Sequence, residues 1–76
     1  MEVYGYEHQD DDSKLLTLVE VSFKASPKEL RIIAQFFADA ARLMNEHGDD
    51  FGHEHLKYHF PDLPESMTMA DIIIAR

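Results

Sequence analysis

The sequence predicts an α+β fold, a four-stranded, mainly antiparallel sheet in the order β-β-α-β-β with one long helix packed on one face. Three observations predict it. Residues 26 to 47 carry a helix start, an apolar-rich body and a helix stop. Lys14 to Ala25 alternates apolar and polar side chains at the strand period. Asp71-Ile72-Ile73-Ile74-Ala75-Arg76 is a continuous β-branched run, as in a strand buried on both faces.

Taken in order, residues 2 to 6 form a short first strand, with Val3 on one face and Tyr4 and Tyr6 on the other. Glu7 to Ser13 is a polar turn containing Asp10, Asp11 and Asp12. In the second strand, Leu15, Thr17, Val19, Val21 and Phe23 share the core-facing side, and Leu16, Leu18, Glu20, Ser22 and Lys24 the other. The two segments suggest a hairpin.

The helix is the most legible element. Ser26 and Glu29 make the S-x-x-E pattern of a capping box, in which each side chain satisfies a backbone donor at the helix start. Pro27 falls at the first helical position, where its missing N–H costs nothing. Gly48 can take the left-handed conformation that stops a helix, and His47 suits the negative end of its dipole. Leu30, Ile33, Ala34, Phe37, Ala41 and Met44 form one apolar stripe, wide enough to cover a small sheet. Ile32, Phe36 and Leu43 form a second stripe beside it. Either the sheet curls around the helix, or the second stripe meets another chain.

Asp49 to Gly52 is a turn. From His53 to Phe60 the alternation resumes, with Glu54, Leu56, Tyr58 and Phe60 on one face and His53, His55, Lys57 and His59 on the other. Pro61 and Pro64 break this strand. Glu65 to Ala70 is a loop or single turn, with Met67 and Met69 under the core, before the last strand.

Seventy-six residues make one domain with a thin margin of stability, since a chain this small buries only ~60–65% of its unfolded surface. The 45% hydrophobic content is too high for a disordered chain. There are no cysteines, which removes disulfides, thiolate metal sites and cysteine chemistry. A net charge of −8 argues against nucleic acid, which needs a basic footprint, and against anionic membranes. It fits a basic protein partner. The N-terminus has no signal-peptide pattern, and no apolar stretch is long enough to span a bilayer, so a cytoplasmic location is expected.

His53-x-His55 is the sharpest local pattern. On a strand, residues two apart share a face, so both imidazoles can address one metal ion. A third ligand must come from elsewhere, such as His8, His47 or Asp49, and the competing reading is a solvated strand face. No G-x-S-x-G, P-loop or H-E-x-x-H motif is present, and no spacing singles out an acid–base pair such as His55 with Glu20. No enzyme activity and no cofactor are therefore expected. The acidic clusters flank the expected strand ends and can steer a basic protein, while Leu16, Leu18, Ile32, Phe36 and Leu43 supply a dry centre. The residues assigned to partner contact are Asp10, Asp11, Asp12, Asp49, Asp50, His53, His55, Ile32, Phe36 and Leu43.

At Val19-Glu20-Val21-Ser22-Phe23, Ser26-Pro27-x-Glu29-Leu30, the Phe36-Phe37 helix and Phe51-x-His53-x-His55-Leu56, the chain resembles the immunity protein 32 family of bacterial polymorphic-toxin systems. The resemblance covers roughly residues 15 to 76. It implies a small cytoplasmic, non-catalytic protein that binds and neutralises a cognate toxin. Many such toxins are nucleases with basic clefts, which an acidic inhibitor can occupy. The alternatives carried beside it are a self-associating module, dimeric through the second helix stripe, and a metal-binding domain using His53 and His55.

Overall fold

Helix α1 (Pro27–His47) is about 31 Å long at 1.5 Å per residue, close to the longest dimension of a molecule measuring 34 × 28 × 22 Å. This computed structural model describes residues 1–7, 14–67 and 70–76. Asp10, Asp11, Asp12, His8 and Met69, all named above, lie outside the described residues.

The local signals for α1 hold at both ends. Glu29 N–H donates to Ser26 Oγ at 3.2 Å, and Ser26 N–H donates to Glu29 Oε1 at 2.8 Å, closing the capping box. Gly48 stops the helix at φ 55°, ψ −125°, and its N–H donates to the Met44 carbonyl. That backbone conformation is costly for a residue with a Cβ, which is why glycine stands there.

The single sheet expected from the sequence is instead two small antiparallel sheets of two strands each. Strand β1 (Tyr4–Gly5) pairs with β2 (Leu16–Thr17), placing Tyr4 opposite Thr17 and Gly5 opposite Leu16. The hairpin expectation thus holds, but the second strand ends eight residues before the Ala25 expected from its pattern. After Leu18 N–H donates to the Val3 carbonyl, the chain bends at Val19, and residues 20–25 join no ladder among the described residues. Alternation alone does not make a strand; the backbone also needs a neighbour to pair with.

Strand β3 (His53–His55) pairs with β4 (Ile73–Ala75) in the register His53↔Ala75, Glu54↔Ile74, His55↔Ile73. The expected strand through Phe60 is overturned at Leu56. Residues Leu56–His59 form a one-turn helix, α2, closed by Phe60 N–H donating to the Leu56 carbonyl at 3.2 Å. Among the described residues, strand β4 pairs on one side only, with β3, and it is not buried on both faces, since Ile73 is 52% exposed.

The core gathers where α1, α2 and the β3–β4 sheet meet. Ile33, Phe36, Leu56 and Met67 are buried together, with Ile32, Phe60, Leu63, Ile72 and Ile74 packed against them. Ala40 and Phe51 are also buried. The inward face of α1 is therefore rotated from the expected stripe toward the second one. Phe36, of the second stripe, is fully buried, whereas Leu30 and Phe37 of the first stripe are 47% and 41% exposed. Two adjacent apolar stripes leave the choice of face to whatever packs against them, and here α2 and Met67 sit over Phe36.

Candidate functional site

The residues assigned to partner contact fall into three places. Asp49 and Asp50 follow α1 in a 3₁₀ turn (Gly48–Asp50) and are exposed. Phe51, buried directly after them, anchors that turn. Arg76 Nη1 donates to the Gly48 carbonyl at 2.9 Å, and its Nη2 lies 3.7 Å from Asp49 Oδ1. The Asp49 side chain remains fully exposed, so this contact leaves its charge facing water.

His53 and His55 lie on one face of β3 as their spacing implies, with ring centroids 5.0 Å apart in an edge-on arrangement. Their environments differ. His53 is exposed, while His55 is half-buried, stacks near Tyr58 at 4.9 Å and places Nδ1 2.7 Å from Asp71 Oδ2. Asp71 is the partner that sequence reading missed. Its other oxygen, Oδ1, accepts the N–H groups of Lys57 at 3.2 Å and of Ile72 at 3.0 Å. Helix α2 has no side-chain cap of its own at His55, so Asp71 supplies the acceptor from the facing segment.

A second pair ties α2 to α1. His59 Nε2 lies 2.8 Å from Asp39 Oδ2, and Gln35 Nε2 donates to Asp39 Oδ1 at 2.8 Å, one helical turn away. The His59 ring sits between Phe36 at 5.8 Å and Phe60 at 4.8 Å. The bonds from His59 and Gln35 hold the Asp39 carboxyl below its ordinary value. For Asp71, burial pushes upward, but the bonds from His55, Lys57 and Ile72 outweigh it and the carboxyl is also lowered. Both histidines thus act as structural ties. Each joins α2 or its leading strand to another segment.

Among the described residues, no group of three or more His, Asp or Glu side chains converges in a way that could hold a metal ion. Asp49 and His47 do not complete a site with His53 and His55. His55 faces Asp71, not Glu20.

The hydrophobic candidates separate. Phe36 is core. Leu43 is half-buried on α1. Ile32 lines a shallow cleft of about 160 Å³ with Phe60, Pro61, Asp62 and Leu63. The cleft is apolar in its walls and carries one carboxylate at its side. Among the described residues, no helix is long and apolar enough to cross a membrane.

The sequence model of the Immunity protein 32 family matches residues 20–76, which takes in α1, both His–Asp pairs, the Ile32 cleft and the β3–β4 sheet. The chain belongs to the Immunity protein 32 family. The β1–β2 hairpin lies ahead of the matched region. A comparison with curated proteins finds no match, and neither does one with solved structures. Asp39, Asp62 and Asp71 left little trace in the sequence. Asp39 sits four residues from Gln35 in the polar band of α1, and Asp71 is the acid directly before the isoleucine run.

Proposed function

We propose that this immunity protein binds a cognate toxin and neutralises it by covering its active site, without catalysis of its own. The observation that carries the reading is membership of an immunity-protein family over residues 20–76. The charge supports it. With fifteen acids against seven bases, the chain complements a basic surface such as the substrate cleft of a nuclease.

The contact surface has two parts in this reading. Asp49 and Asp50, exposed beyond the end of α1, steer the encounter with a basic partner. The cleft of Ile32, Phe60, Pro61, Asp62 and Leu63 takes a lysine or arginine, its aliphatic stem on the apolar walls and its cation toward Asp62. A desolvated anchor of this kind holds a complex that steering alone would not. His53 is exposed on β3 and adds a hydrogen-bonding group.

The test is co-expression with a toxin domain found encoded in a neighbouring gene. Growth arrest by the toxin is relieved by the wild-type chain, and relief is weakened by Asp49→Lys, Asp50→Lys and Asp62→Lys together. Failure of the wild-type chain to relieve arrest, with both proteins folded and present, removes the reading.

A further inference from the structure

Residues 19–25 are written as a strand and are not paired as one. Val19, Val21 and Phe23 alternate with Glu20, Ser22 and Lys24, yet among the described residues no ladder includes any of them. Val19 is fully exposed, and Val21 and Phe23 are each about half exposed at 51% and 46%. The segment lies between β2, which ends at Thr17, and the Ser26 cap of α1. An alternating apolar stretch with unpaired backbone is a template for another strand.

Its own sequence is the complement. Laid antiparallel on a second copy about a two-fold axis through Ser22, Glu20 falls opposite Lys24 and Val21 opposite Phe23, each twice. Ser22 then faces Ser22, and Val19 faces Ala25. Opposite charges and an aromatic against a β-branched residue are favourable cross-strand pairs. Slipping the register by one residue puts charged side chains against the apolar face, so this alignment is selected over its neighbours. The apolar side chains of both copies share one face of the new ladder, where Val21 and Phe23 cover each other.

We infer that residues 19–25 form an isologous interface with a second copy of this chain, an antiparallel two-strand ladder centred on Ser22. Residues 19–25 include none of the residues given to the toxin, which are Asp49, Asp50, His53 and those of the Ile32 cleft. The earlier expectation of a dimer through Ile32, Phe36 and Leu43 needs Phe36 outside, and it is buried.

The chain has no cysteine, which makes the test direct. Ser22→Cys places its two thiols across the axis, where facing Cα atoms in an antiparallel pair lie about 4.5–5.5 Å apart, within disulfide reach. Mild oxidation yields covalent dimer at least about tenfold faster for Ser22→Cys than for Lys28→Cys on the exposed start of α1. Sedimentation of the cysteine-free chain from about 1 µM to about 1 mM shows a monomer–dimer equilibrium. Glu20→Lys weakens it by setting lysines against lysines. The Glu20→Lys/Lys24→Glu exchange restores it. General self-repulsion predicts the opposite for Glu20→Lys, because that change brings the net charge of −8 two units closer to zero and should favour association. Circular dichroism of each variant confirms that α1 is kept. Equal cross-linking at positions 22 and 28, a wild-type monomer at the highest concentration, or no recovery in the exchange variant overturns the inference. None of these results bears on toxin binding, since no toxin is present.

Discussion

Asp71 holds two elements at once, with Oδ2 2.7 Å from His55 Nδ1 and Oδ1 taking the first free N–H of the turn that follows, that of Lys57. One carboxylate therefore fixes where β3 ends and α2 begins. That junction in turn sets Leu56 in the core and His59 against α1. Asp71→Ala leaves the His55 ring and the Lys57 N–H without their acceptor. The expected loss is about 1–3 kcal/mol, read from the midpoint of urea unfolding with an unchanged slope. Asp71→Asn keeps an acceptor oxygen and loses less. A silent Asp71→Ala would mean that burial of Leu56 and the His59–Asp39 pair hold α2 without it.

Acid should unfold the protein through the same groups. Asp39 and Asp71 both have folded-state values below the ordinary 3.8. A carboxylate lowered on folding stabilises the folded state fully above its unfolded value, and the contribution is lost as pH falls through the folded one. Stability is thus retained from neutral pH down to the ordinary carboxylate range and declines below it. In thermal melts between pH about 5 and about 2, Asp39→Asn/Asp71→Asn flattens that decline. An identical slope in the double variant would show that other acids carry the acid transition.

Neighbouring phenylalanines of α1 should behave unlike each other. Phe36 is fully buried against Ile33, Leu56 and Met67, whereas Phe37 is 41% exposed. Phe36→Ala removes a core side chain and should cost about 3–5 kcal/mol, enough to unfold much of a small domain. Phe37→Ala should cost much less, within about 1 kcal/mol. Phe36→Glu should give an unfolded chain, not a folded monomer. Comparable losses at Phe36 and Phe37 would return the helix to the face first read from its periodicity.

Gly48 offers a purely backbone test. It sits at φ 55°, ψ −125°, and nothing lies within 4 Å of where a Cβ would stand. Gly48→Ala therefore meets no steric clash, and any loss reports conformation. About 1–3 kcal/mol is expected by chemical denaturation. Ser26→Ala, at the other end, removes the acceptor of the Glu29 N–H and should cost about 1 kcal/mol. A neutral Gly48→Ala would place the helix stop elsewhere.

What was legible in the sequence was what is decided locally. The ends of α1 are fixed by Ser26, Pro27, Glu29 and Gly48, each acting on backbone a few residues away, and the helix spans the residues expected. The pairing of β1 with β2 and the strand character of His53–His55 were also legible. What failed depended on distant partners. His53 to Phe60 alternates throughout, but its ladder stops at His55, because the facing segment offers a carboxylate at Asp71 in place of another strand residue. Lys14 to Ala25 also alternates, yet residues beyond Leu18 join no ladder among the described residues. Of the site, exposure of Asp49, Asp50 and His53 was legible, whereas the tying role of His55 and His59 was not, because Asp71 and Asp39 lie sixteen and twenty residues away.

The acidic surface should govern the speed of binding more than its final strength. Reversing Asp49 and Asp50 to lysine lowers the association rate with a basic partner and leaves dissociation nearly unchanged, because both residues lie in water outside any buried contact. Asp62→Lys, beside the Ile32 cleft, should instead speed dissociation. Surface plasmon resonance separates the two rates. The same fall in association rate for all three reversals would leave the cleft without an anchoring role.

The most direct measurement is stopped-flow association of this chain with a toxin domain found encoded in a neighbouring gene, made at a series of salt concentrations. The account predicts a one-to-one complex whose association rate falls about tenfold or more from ~50 mM to ~500 mM salt, and falls similarly in the Asp49→Lys/Asp50→Lys variant at low salt. A toxin that forms no complex, or one that binds at a rate indifferent to both salt and charge reversal, would contradict it.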